Sequence, residues 1–284
     1  MKPHIRLLAI DIDGTLLDPQ YQISARNLTA LERAHRAGIE VALVTGRRHR
    51  FALPVAQSLG FDVCLISSNG AVTKSSRGEL FHRDLLPLST ARKLCAYMDE
   101  FHANTVLTFD IETKGALVLE PQHDLASSVF GWLEKNAPYM DFVQPLEKAL
   151  VSDPVQIMFC GALKRMEQAQ NRLACSELMR EITVLRTVYP PRNLSILDVL
   201  THSCSKGHAL ERWAKHRGIG REEVMAVGDN YNDVEMLEFA GMPVIMGNAA
   251  EQLKQNRWAV TLGNDESGVA VAVERLLGET FISA

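Results

Sequence analysis

Hydrophobic residues fall into short unbroken runs separated by stretches with helical spacing. Leu7, Leu8, Ala9 and Ile10 lie inside a run from Ile5 to Ile12, the pattern of a strand covered on both faces. Beyond it Ser24 is a good N-cap, and Leu28, Leu31 and Ala34 form a helical stripe that stops at Gly38, a residue suited to a left-handed cap. Ile39 to Val44 reads as a second buried strand. Arg48 to Leu59 reads as a helix with Phe51, Val55 and Leu59 on one face, in which Pro54 fits only if it falls in the first turn. Val63 to Ser67 is a third strand. Strand and helix alternate, which predicts βαβ units on a parallel sheet.

From about Asp84 the pattern changes. Ser89 to Phe101 is helical in spacing, Thr105 to Asp110 and Ala116 to Glu120 read as strands paired around Gly115, and Leu125 to Lys135 is helical again. Val155 to Phe159, Leu163 to Met179, Thr183 to Val188 and Leu194 to Leu200 then read strand, helix, strand, strand. The last two form a hairpin through Pro190-Pro191. After Ser203 the first pattern returns: a helix Lys206 to His216, a strand Glu223 to Val227, a helix around Val234 and Leu237 closed by Gly241, strands Val244 to Met246 and Trp258 to Leu262, and a helix Ser267 to Leu277. The expected architecture is α/β, a Rossmann-like doubly wound parallel-sheet core (1–83 and 204–284) with an inserted α+β cap domain (84–203).

A chain of 284 residues with 46% hydrophobic and 23% charged residues has the composition of a globular protein with ample core. A net charge of -4 and no run of Lys or Arg argue against a nucleic-acid or polybasic membrane partner. The five cysteines are scattered without a CxxC, which indicates buried thiols in a reducing compartment. Met1-Lys2-Pro3-His4 leads straight into the first strand, too soon for a signal peptide or a membrane span, so the protein is read as cytoplasmic. No oligomeric state follows from the sequence.

Polar residues collect where the strands end. Asp11 and Asp13 close the first strand and, two apart in extended chain, can face one site, with Gly14 free to take dihedrals other residues resist. Thr45, Gly46 and Arg47 close the second, Ser68, Asn69 and Gly70 the third, and Gly228 and Asp229 a later one, followed by Asn232 and Asp233. In an open parallel sheet, ligands bind beyond these carboxyl ends. Carboxylates without His or Cys partners suit a hard cation, Mg²⁺ first among them, with phosphate oxygens completing its shell. The set resembles a phosphoryl-transfer site.

The order DxDGT, TGR, Lys-Gly and GDNxND resembles the motif set of the haloacid dehalogenase superfamily of phosphatases, and the position of the insert resembles its Cof-type subfamily with a class IIB cap. The resemblance implies that Asp11 is the nucleophile and Asp13 the general acid and then base. It implies Mg²⁺ on Asp11, the Asp13 backbone carbonyl and Asp229. Thr45, the Gly46 amide and Lys206 are implied to bind phosphoryl oxygens, Asn232 to lie beside the phosphate, and Asp233 to steady Lys206 or a metal-bound water. Arg47 either reaches substrate or is a salt-bridged helix start, and Asn69 with Gly70 either contacts substrate or caps a strand.

Asp198 departs from the Glu usual at its position, which leaves that position without an assigned cap contact. His202 and His208, which flank the Lys-Gly pair, read as hydrogen-bonded spectators, and Asp18 as surface.

The expected function is a Mg²⁺-dependent phosphatase for a small phosphorylated metabolite, a sugar phosphate or pyridoxal 5'-phosphate, working through an aspartyl-phosphate. The cap would act as the lid that selects substrate. The rivals are a sugar phosphomutase of the same superfamily and a non-catalytic ligand-binding regulator.

Overall fold

The computed structural model describes residues 5–125 and 129–278. The opening tetrapeptide Met1 to His4 and part of the helix expected from Leu125 lie outside the described residues.

The first stretch runs β1 (Leu7–Ile10), α1 (Ala25–Arg36), β2 (Glu40–Val44), α2 (His49–Gln57), β3 (Cys64–Ser67), β4 (Val72–Ser75) and β5 (Leu80–Arg83). The middle stretch adds α3 (Leu88–Tyr97), β6 (Thr105–Thr108), β7 (Leu117–Leu119), α4 (Phe130–Asn136), β8 (Met140–Phe142), β9 (Gln156–Gly161), α5 (Leu163–Ala174), β10 (Ile182–Tyr189) and β11 (Leu194–Thr201). The last stretch is α6 (Lys206–His216), β12 (Val224–Gly228), α7 (Val234–Phe239), β13 (Met242–Ile245), α8 (Glu251–Lys254), β14 (Ala259–Val260) and α9 (Gly268–Leu277). One compact unit runs to Arg83 and resumes at Ser205; the other is Asp84–Cys204. Cys204, grouped with the outer portions on sequence, falls with the insert, its N–H donating to the Thr201 carbonyl at 3.1 Å.

In the outer unit the sheet order is β14-β13-β12-β1-β2-β3-β4-β5, parallel from β14 to β3 and antiparallel at β4 and β5. Alternation of side chains along β1 explains the two cores. Leu8 and Ile10 point to a cluster built with Leu31 and Ala34 of α1, Ala52 of α2 and Val269 of α9. Leu7 and Ala9 point to one built with Leu210, Trp213, Met236 and Leu237 of α6 and α7. With helices on both faces the unit is doubly wound. Because β2 lies on one side of β1 and β12 on the other, chain order reverses at β1, which makes its carboxyl end the natural ligand crevice.

Local signals behave as chemistry requires in most places. The Ser24 hydroxyl accepts the Asn27 N–H at 3.1 Å and starts α1, and Gly38 with φ 84° follows its end. Pro54 differs from expectation: it sits in the second turn of α2, where it gives up the amide bond that position would otherwise donate. The β4–β5 hairpin and the short α8 were not anticipated.

The insert carries a sheet of order β10-β11-β9-β6-β7-β8, antiparallel except for β7–β8. Leu107, Ile157, Phe159 and Leu197 on one face pack with Leu94 of α3 and Met166 of α5, while Val106 and Leu119 on the other meet Trp132 and Leu133 of α4. The β10–β11 hairpin turns through Pro190-Pro191, with Asn193 in the left-handed region at φ 46°. The helix expected to reach Met179 stops at Ala174, because the Ser176 hydroxyl accepts the Leu178 N–H and starts a separate turn. Burial pushes the Cys95 and Cys160 thiols up to about 12 and Cys64 well above its ordinary value, so these thiols are inert. Among the described residues, no helix is long and apolar enough to cross a membrane.

Candidate active site

At the carboxyl end of β1 the Asp11 N–H donates to the Val227 carbonyl at 3.0 Å, which carries the parallel pairing one residue past the strand and fixes the base of the first carboxylate. The chain then turns back on itself, Leu16 and Leu17 donating to the carbonyls of Asp11 and Ile12 at 3.2 and 3.0 Å. Gly14 takes φ 83°, and a Cβ there would stand 2.5 Å from Asp229 Oδ2. Only glycine satisfies both the dihedral and the close approach.

Asp229 and Asp233 arrive from the end of β12. Asp233 Oδ2 accepts the N–H groups of Asp229 and Asn230, each at 3.0 Å, so the turn is closed by its own side chain. Lys206 is the first residue of α6, whose Ser205 N-cap accepts the His208 N–H at 3.2 Å. The Lys206 ammonium donates to Asp11 Oδ1 and to Asp233 Oδ1, both at 2.6 Å. Gly207 permits this placement, since a Cβ there would lie 2.6 Å from the Glu235 carbonyl carbon.

One oxygen from each of Asp11, Asp229 and Asp233 lies within 4.8 Å of the others. Burial, with the charges of Asp233 and Asp13 beside it, pushes the Asp11 carboxyl up to about 7 against the opposing pull of Lys206. Burial and the charges of Asp11 and Asp233 also hold Asp229 well above the usual carboxylate range. Lys206 goes the other way for its type: burial alone would lower it, but Asp11 and Asp233 outweigh burial and keep it protonated. Once ionised, three buried carboxylates outnumber the one ammonium, and an all-oxygen donor set of this kind fits a hard divalent cation that would stabilise the ionised form. Asp233 spends one oxygen on Lys206 and the other on two amides, so Asp11 and Asp229 have the more available oxygens.

The second and third strands bring the remaining residues. The Arg47 N–H donates to Thr45 Oγ1 at 3.1 Å, and the Arg47 carbonyl accepts the Ser68 N–H at 2.8 Å. The guanidinium forks onto Asp13, Nε to Oδ2 at 2.7 Å and Nη2 to Oδ1 at 2.5 Å. Burial opposes the Arg47 charge, but Asp13 outweighs it and raises the guanidinium further. Asn69 takes φ 53°, donates its N–H to the Thr45 carbonyl at 2.9 Å and accepts from Asn232 Nδ2 at 3.0 Å. A Cβ on Gly46 would stand 3.2 Å from Asn69 Oδ1, so the loops after β2, β3 and β12 are mutually fitted.

Asp11, Lys206, Asp229 and Asp233 are thus brought into direct register, Thr45, Gly46, Asn69 and Asn232 line an adjoining loop cluster, and Asp13 is joined to Arg47. Two contributors escaped the sequence reading. Thr15 is buried and donates its hydroxyl to Asp229 Oδ1 at 3.1 Å; its place in DxDGT was a signal. Asn248 donates to the Gly14 carbonyl at 2.9 Å, and nothing in its surroundings in the chain marked it. His208 Nδ1 lies 2.9 Å from the Ser205 hydroxyl and 3.2 Å from Glu235, a helix-start cluster. In the insert, Asp198 accepts from Gln156 Nε2 at 2.9 Å, both residues buried. Asp18 is only half-buried and accepts the N–H groups of Gln20 and Gln22, both at 2.9 Å.

A model of the haloacid dehalogenase-like hydrolase family matches residues 8–273. The chain is 32% identical over 295 residues to the phosphatase YwpJ of Bacillus subtilis (strain 168), covering 96% of this chain and 100% of that protein. It is 29% identical over 268 residues to the pyridoxal phosphate phosphatase YbhA of Escherichia coli (strain K12), covering 93% of this chain and 96% of that one. Among solved structures, a haloacid dehalogenase-like hydrolase from Bacteroides thetaiotaomicron superposes with a TM-score of 0.77 at 30% identity, covering 96% of this chain and 99% of its own.

Proposed function

We infer the reaction from one premise: the chain belongs to the haloacid dehalogenase-like hydrolase family and is a phosphatase of its Cof-type subfamily, the class with a IIB cap. On our reading it hydrolyses small phosphomonoesters, sugar phosphates or pyridoxal 5'-phosphate, through an aspartyl-phosphate on Asp11, with Mg²⁺ as cofactor. The observation that carries this reading is the buried Lys206 bridge between Asp11 and Asp233 beside Asp229, a charge arrangement costly to fold and useful for holding phosphate.

Asp11, Asp229 and the Asp13 carbonyl would hold the ion. When bound it neutralises charge, so that a carboxylate can meet an anionic phosphate. Asp11 attacks phosphorus with the oxygen not committed to Lys206. Asp13 gives a proton to the departing ester oxygen, then takes one from the water that attacks the aspartyl-phosphate. Lys206, Thr45 and the Gly46 amide hold the equatorial oxygens, where charge accumulates in the transition state. Asn232 flanks the phosphate with Asn69, and Asp233 holds Lys206 in place. The insert, residues 84–204, serves as the lid that excludes water and selects the leaving group.

Phosphate release from a panel of sugar phosphates, nucleotides and pyridoxal 5'-phosphate, measured with Mg²⁺ and with chelator, tests the reading. Metal-dependent release that Asp11→Asn abolishes is expected. Release indifferent to chelator, or absent from every compound, overturns it.

A further inference from the structure

Arg47 invites a role as a substrate ligand, but its guanidinium is already engaged. Both oxygens of Asp13 are taken by one planar fork, at 2.7 and 2.5 Å, and neither side chain is freely exposed, at 24% for Arg47 and 31% for Asp13. Such bidentate pairing fixes the plane of a carboxylate as well as its position. Arg47 is itself anchored: its N–H rests on Thr45 Oγ1, its carbonyl accepts the Ser68 N–H, and Nη1 reaches the Phe51 carbonyl at 3.5 Å. The loop that carries Thr45 and Gly46 therefore also sets the orientation of a carboxylate 34 residues earlier in the chain.

We propose that Arg47 is a positioning residue for Asp13, receiving its carboxylate each time Asp13 gives up a proton, and not a ligand of the substrate. The proposal rests on the reading of Asp13 as acid and base. In the first step the ester P–O bond breaks, phosphorus bonds to Asp11, the Asp13 proton goes to the leaving oxygen, and the alcohol departs. Asp13 is then a carboxylate, the form that accepts both Arg47 donors. In the second step water attacks phosphorus, its proton goes to Asp13, the Asp11–phosphorus bond breaks and inorganic phosphate leaves. The hydroxyl oxygen of a protonated Asp13 is a weaker acceptor than a carboxylate oxygen, so one arm of the fork weakens as the cycle closes. Arg47 thus stabilises the product form of the first proton transfer and aims it for the second.

The chemical signature is leaving-group dependence. An alkyl phosphate needs its departing oxygen protonated, whereas p-nitrophenyl phosphate departs as a stable phenolate without help. General acid–base groups contribute about 10²- to 10⁴-fold. Because kcat/KM reports the steps up to loss of the leaving group, Asp13→Asn should lower it within about that range for the alkyl phosphate and far less for p-nitrophenyl phosphate. In contrast kcat, which includes the shared hydrolysis of the aspartyl-phosphate, falls for both. Arg47→Gln should reproduce this selectivity at smaller size, roughly 10- to 100-fold in kcat/KM on the alkyl phosphate with little change on p-nitrophenyl phosphate. The double variant should be no slower than Asp13→Asn alone, because removing the carboxylate removes what Arg47 positions.

The experiment measures kcat and KM for one alkyl phosphate and p-nitrophenyl phosphate in wild type, the two single variants and the double variant, with melting temperatures beside them. Loss of kcat/KM selective for the alkyl phosphate, with non-additive combination, supports the proposal. Equal losses of kcat/KM on both substrates, or losses that multiply in the double variant, overturn it and return Arg47 to substrate binding. Wild type inactive on both substrates would instead remove the phosphatase reading itself.

Discussion

Lys206 Nζ lies 2.6 Å from Asp233 Oδ1, with the lysine side chain 1% exposed and the aspartate 0%. Removing one partner of a buried pair leaves the other charge uncompensated, at a cost of about 3 to 5 kcal/mol. Asp11 remains as a second partner, so Asp233→Asn should sit near the lower end, about 3 kcal/mol, while its amide oxygen keeps the turn bonds to Asp229 and Asn230. Denaturant melts of the variant beside wild type measure this. A change below about 1 kcal/mol would mean that the pair contributes no more than a surface bridge.

Metal binding should depend on pH in a direction set by burial. Asp11 is raised from 3.8 to about 7, and Asp229 is raised well above 3.8. For acids raised on folding, ionisation opposes folding, so stability is full below the ordinary carboxylate range and lost as pH rises through about 7. A divalent cation that binds the ionised form reverses that loss, and protons compete with it at low pH. The gain in melting temperature on adding Mg²⁺ should therefore be larger at about pH 8 than at about pH 6, and chelator should erase it. An equal or larger gain at the lower pH would contradict the assignment of these carboxylates to the ion.

Two glycines with nearly the same φ separate backbone strain from close approach. Gly14 has φ 83° and a Cβ there would meet Asp229 Oδ2 at 2.5 Å; Gly38 has φ 84° and would meet nothing within 4 Å. Alanine at either position should cost about 1 to 2 kcal/mol in strain. Only Gly14→Ala should also displace the Asp229 carboxylate and so reduce the thermal shift produced by Mg²⁺. Equal metal shifts in the two variants would show that the approach of Asp229 to the DxDGT turn does not matter.

The sequence was most legible where one signal decides one feature. The continuous apolar run of β1 announces a strand buried on both faces, and carboxylates at its end announce the rim where ligands gather. Lys206–His216 was readable to its ends from an inner face, Leu210, Trp213 and Ala214, that repeats at helical spacing, while the Ser205 cap is a feature only the structure shows. What was not legible depended on contacts between distant residues or on elements too short to carry a period. The β4–β5 hairpin has four residues in each strand and pairs with a register shift, and β8 has three residues.

At the site, residue types and order were readable but bonds were not. The engagement of both Asp13 oxygens by Arg47 depends on the loops after β1 and β2 meeting, and no local spacing reports it. Asn69 in the left-handed region against Asn232, 163 residues later, is of the same kind. Asp198 drew notice only as a departure from the usual Glu, whereas its buried pairing with Gln156 became visible once β9 and β11 were in register.

The most direct test of the account is covalent. Wild-type protein mixed with a turned-over phosphomonoester and quenched in acid should carry one phosphoryl group on the peptide that contains Asp11, and Asp11→Asn should carry none while still unfolding in a cooperative melt. Steady phosphate release without label on that peptide, or full turnover by a folded Asp11→Asn, would contradict the central claim that Asp11 is the nucleophile.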